Sequence, residues 1–171
     1  MAAPKPDESM SHFGDYIALV PEDDVLPALR SELAATLASL SGLDDAEAMR
    51  RHPPYTWSIK EVVAHLIDAE RVFGYRALRF ARSDATPLPG FDENLYAQTS
   101  GADARPLADL LDEFEALRRS HVRFFEGLSP EAWDRRGVAS DATISVRALA
   151  YVIVGHERHH ATIVRRRLGP A

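Results

Sequence analysis

The feature that most constrains the fold is a long apolar stretch near the C-terminus with histidines on its expected buried face. Its periodicity predicts a helix from Ser145 to about Arg167, because apolar residues recur there at spacings of three and four. His156 and His160 lie on the same stripe, so both imidazoles are expected to point into the core. Four residues make about one turn and about 6 Å of rise, which lets two imidazoles bind one metal ion. The sequence therefore predicts a core helix that contributes two ligands to a metal site.

Three further helices are predicted by the same periodicity. The first runs from about 25 to 40, the second from about 58 to 82, and the third from about 106 to 127. Ser58 and Glu61 have the spacing of a capping box at the start of the second helix. No alternating strand pattern or internal repeat is visible. The predicted fold is all-α: a four-helix bundle forming one domain at 23–171, preceded by an irregular lead-in at 1–22.

A long connection at 83–105 joins the second and third helices. Proline and glycine residues interrupt it, and its middle part mixes aromatic with acidic side chains. Two interpretations remain open: a loop attached to the bundle by Phe91 and Tyr96, or a lid over a site. In the second interpretation Asp92 and Glu93 are candidate residues of the substrate pocket.

Composition limits the function classes. The chain has 171 residues and is 46% hydrophobic, which suffices for one domain with a substantial core. With 20 basic and 26 acidic residues its net charge is −6, which disfavours a nucleic-acid or anionic-membrane partner. The absence of cysteine excludes a thiol nucleophile and Cys-ligated zinc. No apolar run is long enough to span a membrane and no signal peptide is visible, so a cytoplasmic location is expected.

A third histidine on an expected buried face makes a three-ligand site conceivable. His65 lies on the apolar stripe of the second helix and is the best partner for His156 and His160. Three neutral imidazoles suit zinc, nickel, copper or iron and leave coordination positions open for water or substrate. The alternative is that these histidines are hydrogen-bonded core residues. His121, also on an apolar stripe, is interpreted as structural, and His159 as exposed or peripheral.

Residues 156–160 also match the H-E-x-x-H signature of zinc metalloproteases, in which the glutamate is the general base. Such proteases usually take their third ligand from downstream, yet no Asp, Glu or His follows His160. No strand is predicted that could bind a peptide by edge pairing. A peptidase is therefore disfavoured, and Glu157 remains a candidate catalytic proton acceptor.

Three segments carry a resemblance to a known family. Residues 57–71 (WSIKEVVAHLIDAER), 89–94 (PGFDEN) and 155–160 (GHERHH) resemble the DinB-like, DNA-damage-inducible family of candidate metalloenzymes. The resemblance extends from about Val25 to Leu168. It implies a four-helix bundle with a long crossover loop between helices two and three. It also implies a divalent metal ion, zinc or nickel, bound by His65, His156 and His160, and frequent homodimers.

The resemblance also sets the functional expectation. Members of the wider superfamily include thiol-dependent S-transferases and a mycothiol-dependent maleylpyruvate isomerase. The leading hypothesis is a metal-dependent enzyme acting on a small molecule, either a hydrolase or an S-transferase with a low-molecular-weight thiol as co-substrate. The alternative is a non-catalytic bundle that binds metal or serves for dimerisation. No nucleic-acid or membrane partner is expected.

Overall fold

The computed structural model describes residues 2–9 and 13–169. The predicted lead-in at 1–22 and the end of the predicted domain therefore include residues outside this description. The α-helices are α1 Phe13–Ile17, α2 Val25–Leu40, α3 Asp45–Ala48, α4 Ile59–Ala81, α5 Glu93–Thr99, α6 Leu107–Glu126, α7 Pro130–Asp134 and α8 Val146–Leu168. Strands β1 Arg136–Ala139 and β2 Ala142–Ser145 form an antiparallel hairpin, and short 3₁₀ turns lie at Pro6–Glu8 and Ala102–Ala104.

The four long helices α2, α4, α6 and α8 form the predicted bundle, with α4 and α8 in the most extensive contact. Helix starts follow the local sequence. The Ser58 hydroxyl accepts from the Glu61 amide at 3.0 Å, and the Glu61 carboxylate accepts from the Ser58 amide at 2.7 Å. Ser145 caps α8 by accepting from the Ala148 amide at 2.9 Å. These bonds satisfy amides that the first helical turn leaves free, and they fix where α4 and α8 begin.

The core lies along both sides of α4. One cluster joins α8, α1, α7 and the hairpin, and the other fills the space between α4, α6 and α2. The stacked rings of Phe125 and Trp133, with centroids 5.4 Å apart, close the first cluster beneath α7. Burying a large apolar side chain contributes about 1.5–3 kcal/mol. Within the described residues, no helix is long and apolar enough to cross a membrane.

The segment at 13–22, predicted to be irregular, contains α1, which packs against α8. The contact is unusually close at Gly155. A Cβ atom added there would lie 1.9 Å from the Tyr16 carbonyl oxygen, so only glycine allows the two backbones to approach. Five residues are too few to show a helical period, which explains why the sequence did not reveal α1.

The prediction of no strands is corrected by the β1–β2 hairpin. Its two-residue turn consists of Ser140 and Asp141, whose φ angles of 52° and 60° match a type I′ turn. Strands of four residues are too short for a visible alternation. The hairpin packs on α4, because Gly137 leaves room for the Phe80 ring, which a Cβ would meet at 2.1 Å.

The connection between α4 and α6 is partly structured rather than an extended loop. It contains α5 and a 3₁₀ turn, and its first part pairs with the hairpin: the Leu88 amide donates to the Val138 carbonyl at 2.9 Å. The Asp92 carboxylate caps α5 by accepting from the Asn94 and Leu95 amides, each at 3.0 Å. The connection is therefore fixed at both the hairpin and the α5 N-terminus.

Candidate metal centre

Three histidines from two helices meet between α4 and α8. His65, His156 and His160, here called the histidine cluster, each offer a ring nitrogen such that all three atoms lie within 4.8 Å of one another. The Nε2 atoms of His65 and His156 are 3.0 Å apart. The ring centroids are separated by 4.6–4.8 Å. The i, i+4 spacing on α8 and the inward face of α4 thus bring the three rings predicted from the sequence together.

Burial keeps these imidazoles in the neutral form that ligates metals. Desolvation lowers the pKa of His65 to about 4 and that of His160 to about 3. The pKa of His156 falls well below its usual value, first through burial and then through the neighbouring His160 and His65. Neutral imidazoles present lone pairs without a proton having to leave first, so the donor set fits a divalent ion.

Hydrogen bonding alone accounts for this arrangement only in part. A bond between the Nε2 atoms of His65 and His156 requires one of them to donate, and it leaves the third ring out. Among the described residues, none forms a hydrogen bond with the His160 ring. A common ligand for three ring nitrogens explains the cluster better than a core pair with an extra histidine.

Aromatic side chains fix the orientation of the cluster. The Tyr16 ring meets His156 edge-on with centroids 5.2 Å apart, and Phe73 does so at 5.7 Å. The ring centroids of Trp57 and His65 lie 4.9 Å apart. Because Gly155 admits the α1 backbone, Tyr16 reaches the site from a segment that the sequence placed outside the domain.

The histidine cluster opens into a cavity of about 510 Å³. Its walls come from α1, α4, α8, the connection at 90–94 and the hairpin turn. Of the two acidic residues that the sequence suggested for a pocket, Glu93 lines this cavity, whereas Asp92 is not among its lining residues and caps α5. The charge of Glu93 raises the pKa of Tyr16, after burial, and partly offsets the lowered pKa of His65. Of the three histidines, His65 is therefore the one on which the charge of Glu93 acts.

Glu157 lies on the other side of α8 from the cavity. Its Oε2 is 2.8 Å from Nη2 of Arg118, and that guanidinium also binds both carboxylate oxygens of Glu70 at 2.8 Å. Nδ1 of His121 is 3.2 Å from Oε1 of Glu70. We call Arg118, Glu70, Glu157 and His121 the arginine cluster.

The position of Glu157 in the arginine cluster bears on the H-E-x-x-H match, in which this residue would be the general base. Burial raises the pKa of Glu157, while Arg118 acts in the opposite direction. A general base of a metalloprotease has to face the metal site, but this carboxylate faces α6. The geometry thus gives Glu157 an ion-pair partner and no route to the cavity, which further weakens the peptidase interpretation.

The remaining histidines differ from the cluster in their surroundings. His121 contacts Glu70 and occupies the space beside Gly74, where a Cβ would lie 2.2 Å from its Nε2. His159 is exposed at the rim of the cavity, with its ring centroid 5.7 Å from that of Tyr16. Neither belongs to the three-nitrogen group.

Sequence reasoning missed three residues that line the cavity: Tyr16, Arg76 and Ser140. Arg76 is buried on α4, and its Nη2 donates to the Pro89 carbonyl and to the Ser140 hydroxyl, each at 2.9 Å. The only signal in the sequence was an arginine on the inward side of a helix three turns after His65. Ser140 gave none, since its place depends on the hairpin.

Comparison with known proteins supports a family assignment. The DinB superfamily profile matches residues 28–164. A protein from Oceanobacillus iheyensis is 24% identical over 129 residues, covering 74% of this chain and 73% of its own length. One from Geobacillus thermodenitrificans is 24% identical over 149 residues, covering 84% of each chain. The names of both describe them as candidate metal-dependent hydrolases.

Solved structures show the same fold. YfiT from Bacillus subtilis, described as a probable metal-dependent hydrolase with an unusual four-helix-bundle topology, matches with a TM-score of 0.71 and 18% identity over 98% of this chain and 95% of YfiT. The mycothiol-dependent maleylpyruvate isomerase matches with a TM-score of 0.70 and 16% identity over 90% of this chain, which spans 62% of the isomerase. The resemblance read from residues 57–71 and 155–160 is confirmed, and the chain belongs to the DinB superfamily.

Proposed function

We propose that this protein is a metal-dependent hydrolase acting on a small molecule. The observation that supports the proposal most strongly is the convergence of three neutral imidazoles on the wall of a cavity of about 510 Å³. Small-molecule sites have volumes of about 300–1,000 Å³, so the cavity has a suitable size. The names of the two curated relatives and of YfiT agree with this reaction class.

His65, His156 and His160 are the proposed ligands. Bound there, a divalent ion would supply Lewis-acid activation at neutral pH. Zinc and nickel are our leading candidates, although imidazole donors also accept copper and iron. The protein's own part is to present three lone pairs on two rigid helices, with Tyr16 and Phe73 restricting the His156 ring.

Glu93 is the proposed proton acceptor. Among the described residues that line the cavity it is the one carboxylate, and it is exposed at its edge. A carboxylate in that place can take a proton from an attacking water, which is general-base catalysis. The aromatic rings of Trp57, Phe73 and Tyr16 reduce the water content around the histidines and so strengthen electrostatic interactions there.

A second candidate is transfer of a low-molecular-weight thiol. The observation in its favour is Arg76, a cation in the cavity wall that could bind the acidic groups of such a thiol. The fold shared with the mycothiol-dependent isomerase is consistent with this reaction. The non-catalytic alternative predicts a closed site, and it gives no reason for a cavity beside the cluster.

The test is hydrolysis of p-nitrophenyl esters and small amides by the zinc- or nickel-loaded protein, with thiol transfer assayed in parallel. Glu93→Gln should lower kcat about 10²- to 10⁴-fold and leave the metal content unchanged. Asp109→Asn, which alters an exposed acid on α6 away from the cavity, is the matched control. Turnover by thiol transfer alone would favour the second candidate. Full hydrolysis by Glu93→Gln would contradict the role given to that residue.

A further inference from the structure

The cavity contains a buried positive charge that the protein itself does not neutralise. Arg76 is 2% exposed, and no carboxylate among the described residues forms an ion pair with it. Its Nη2 donates hydrogen bonds to the Pro89 carbonyl and the Ser140 hydroxyl. Its Nε and Nη1 have no hydrogen-bond partner among the described residues. Arginine stays protonated when buried, so this charge persists inside the fold.

Arg118 is a buried arginine of the same protein whose charge is balanced by carboxylates. It is 1% exposed, and it is surrounded by the carboxylates of Glu70 and Glu157 and by the Leu29 carbonyl. Burying an arginine without such partners is costly, because the charge loses its hydration. Arg76 has neutral partners only, and it lines a cavity. Its charge is therefore available to an anion that enters the cavity.

Arg76 and the histidine cluster line the same cavity. The guanidinium carbon lies 5.9 Å from the centre of the Phe73 ring, and the His156 ring lies 5.7 Å from the same ring. The cation and one of the proposed metal ligands therefore both lie next to the same phenyl ring. Glu93 also lines this cavity, but among the described residues no ion pair or hydrogen bond joins it to Arg76.

We propose that Arg76 binds an oxyanion, a carboxylate or phosphoryl group, of a substrate whose reactive bond lies at the histidine cluster. The N–H groups of Nε and Nη1, which form no hydrogen bond with the described residues, can donate charge-assisted hydrogen bonds to the oxygens of such a group. Phe73, Phe13 and Phe91 make the intervening walls apolar. The substrate class is thus a small anionic molecule with an apolar or aromatic middle. This inference rests on the proposed function for the place of the reaction but not for the binding of the anion.

The experiment measures binding to metal-free protein by isothermal titration calorimetry. The ligands are 3-phenylpropionate, 2-phenylethylphosphonate and the neutral 4-phenylbutan-2-one, none of which has a hydrolysable bond. At least one anion should bind the wild type ten- to a hundredfold more tightly than the ketone, and the better anion identifies the preferred group. Metal content and hydrolysis are measured separately, so a failed hydrolase assay leaves this result interpretable.

Variants test whether the preference for an anion over the neutral ketone depends on Arg76. Arg76→Gln should remove it, and Arg76→Lys, which keeps the charge but not the planar array of N–H donors, should retain part of it. Arg79→Gln is the matched control, because Arg79 lies on the same helix but pairs with Asp84 outside the cavity. Equal binding of all three ligands to the wild type, including no binding of any at millimolar concentration, would overturn the proposal. So would an unchanged preference in folded Arg76→Gln.

Discussion

Two buried polar clusters lie on opposite sides of α8, and they differ in how their charges are balanced. In the arginine cluster, Arg118 is enclosed by carboxylates from α4 and α8. In the histidine cluster, three groups of one kind face each other, and no acid or cation in the described part of the chain pairs directly with them. The neighbouring residues His156 and Glu157 belong to different clusters because they point in directions about 100° apart on the helix.

The difference distinguishes a set of charges that stabilises the fold from a set of donor atoms that can bind a ligand. A closed set of opposite charges stabilises only the fold that assembled it, and it offers nothing to a ligand. A set of lone pairs that converge beside a cavity is complete only when another species binds. Arg76 follows the second pattern, since its charge also lines the cavity without a counter-ion among residues 2–9 and 13–169. The contrast predicts opposite responses to mutation in the two clusters.

The largest expected change in stability comes from breaking the arginine cluster. Arg118→Met leaves the carboxylates of Glu70 and Glu157 buried without their cation, and we expect it to lower the free energy of unfolding by about 3–5 kcal/mol. Urea denaturation measures the change. Arg119→Met alters the exposed neighbour and should stay within about 0.5 kcal/mol. An equally small effect of Arg118→Met would show that the ion pairs do not stabilise the bundle.

Acid should destabilise the metal-free protein through the histidine cluster. The folded-state pKa is about 4 for His65 and about 3 for His160, below the usual 6.5. The unfolded chain therefore binds more protons between these values, so stability is complete above about pH 6.5 and falls as the pH drops towards 4. Each histidine contributes a slope of up to about 1.4 kcal/mol per pH unit.

The histidine contribution to this pH dependence can be isolated by comparison. Urea denaturation at a series of pH values should give a steeper loss between pH 6.5 and 4 for the wild type than for His65→Leu. Because the carboxylates of the arginine cluster are present in both proteins, their titration cancels in the difference. Parallel curves would mean that His65 is protonated equally in the folded and unfolded states.

A smaller effect is expected where α1 meets α8. Gly155→Ala places a methyl group where the Tyr16 carbonyl lies, so α1 should shift and the stability should fall by about 1–3 kcal/mol. The three proposed metal ligands remain in place, so metal content should not change, whereas the affinity for substrate should fall. Gly14→Ala, where nothing lies within 4 Å of an added Cβ, is the control. Equal stabilities of the two variants would contradict the close packing of α1.

The smallest change in stability is expected for His156→Leu in the absence of metal. The substitution removes a buried polar ring that contacts two other histidine rings and replaces it with an apolar side chain. The free energy of unfolding should therefore be unchanged or slightly higher. This is the reverse of the expectation for Arg118→Met, although both side chains are buried to a similar degree. A loss of several kcal/mol, measured by urea denaturation with chelator present, would show that His156 is a structural core residue.

The sequence predicted those parts of the molecule that repeat over several turns. The capping residues Ser58 and Ser145 and the stripes that include His65 and His156 are local features, and the helices and the three converging histidines followed from them. The four-helix bundle expected from the DinB-like resemblance is confirmed.

The missed features depend on contacts between distant parts of the chain. Arg118 meets Glu157 across 39 positions of sequence, and no local pattern marks that pair. Tyr16 reaches the site through a helix of five residues, and Ser140 through a turn between strands of four. Such short elements have no measurable period and form because the bundle offers them a surface.

The central claim is tested most directly by elemental analysis of protein purified without chelator or affinity tag, beside His65→Ala and His159→Ala. His159 is the matched control, because it lies at the cavity rim but outside the three-nitrogen group. We predict about one zinc or nickel ion per chain in the wild type and in His159→Ala, and none in His65→Ala. No metal in the wild type after incubation with either ion, or equal metal in His65→Ala, would contradict the account.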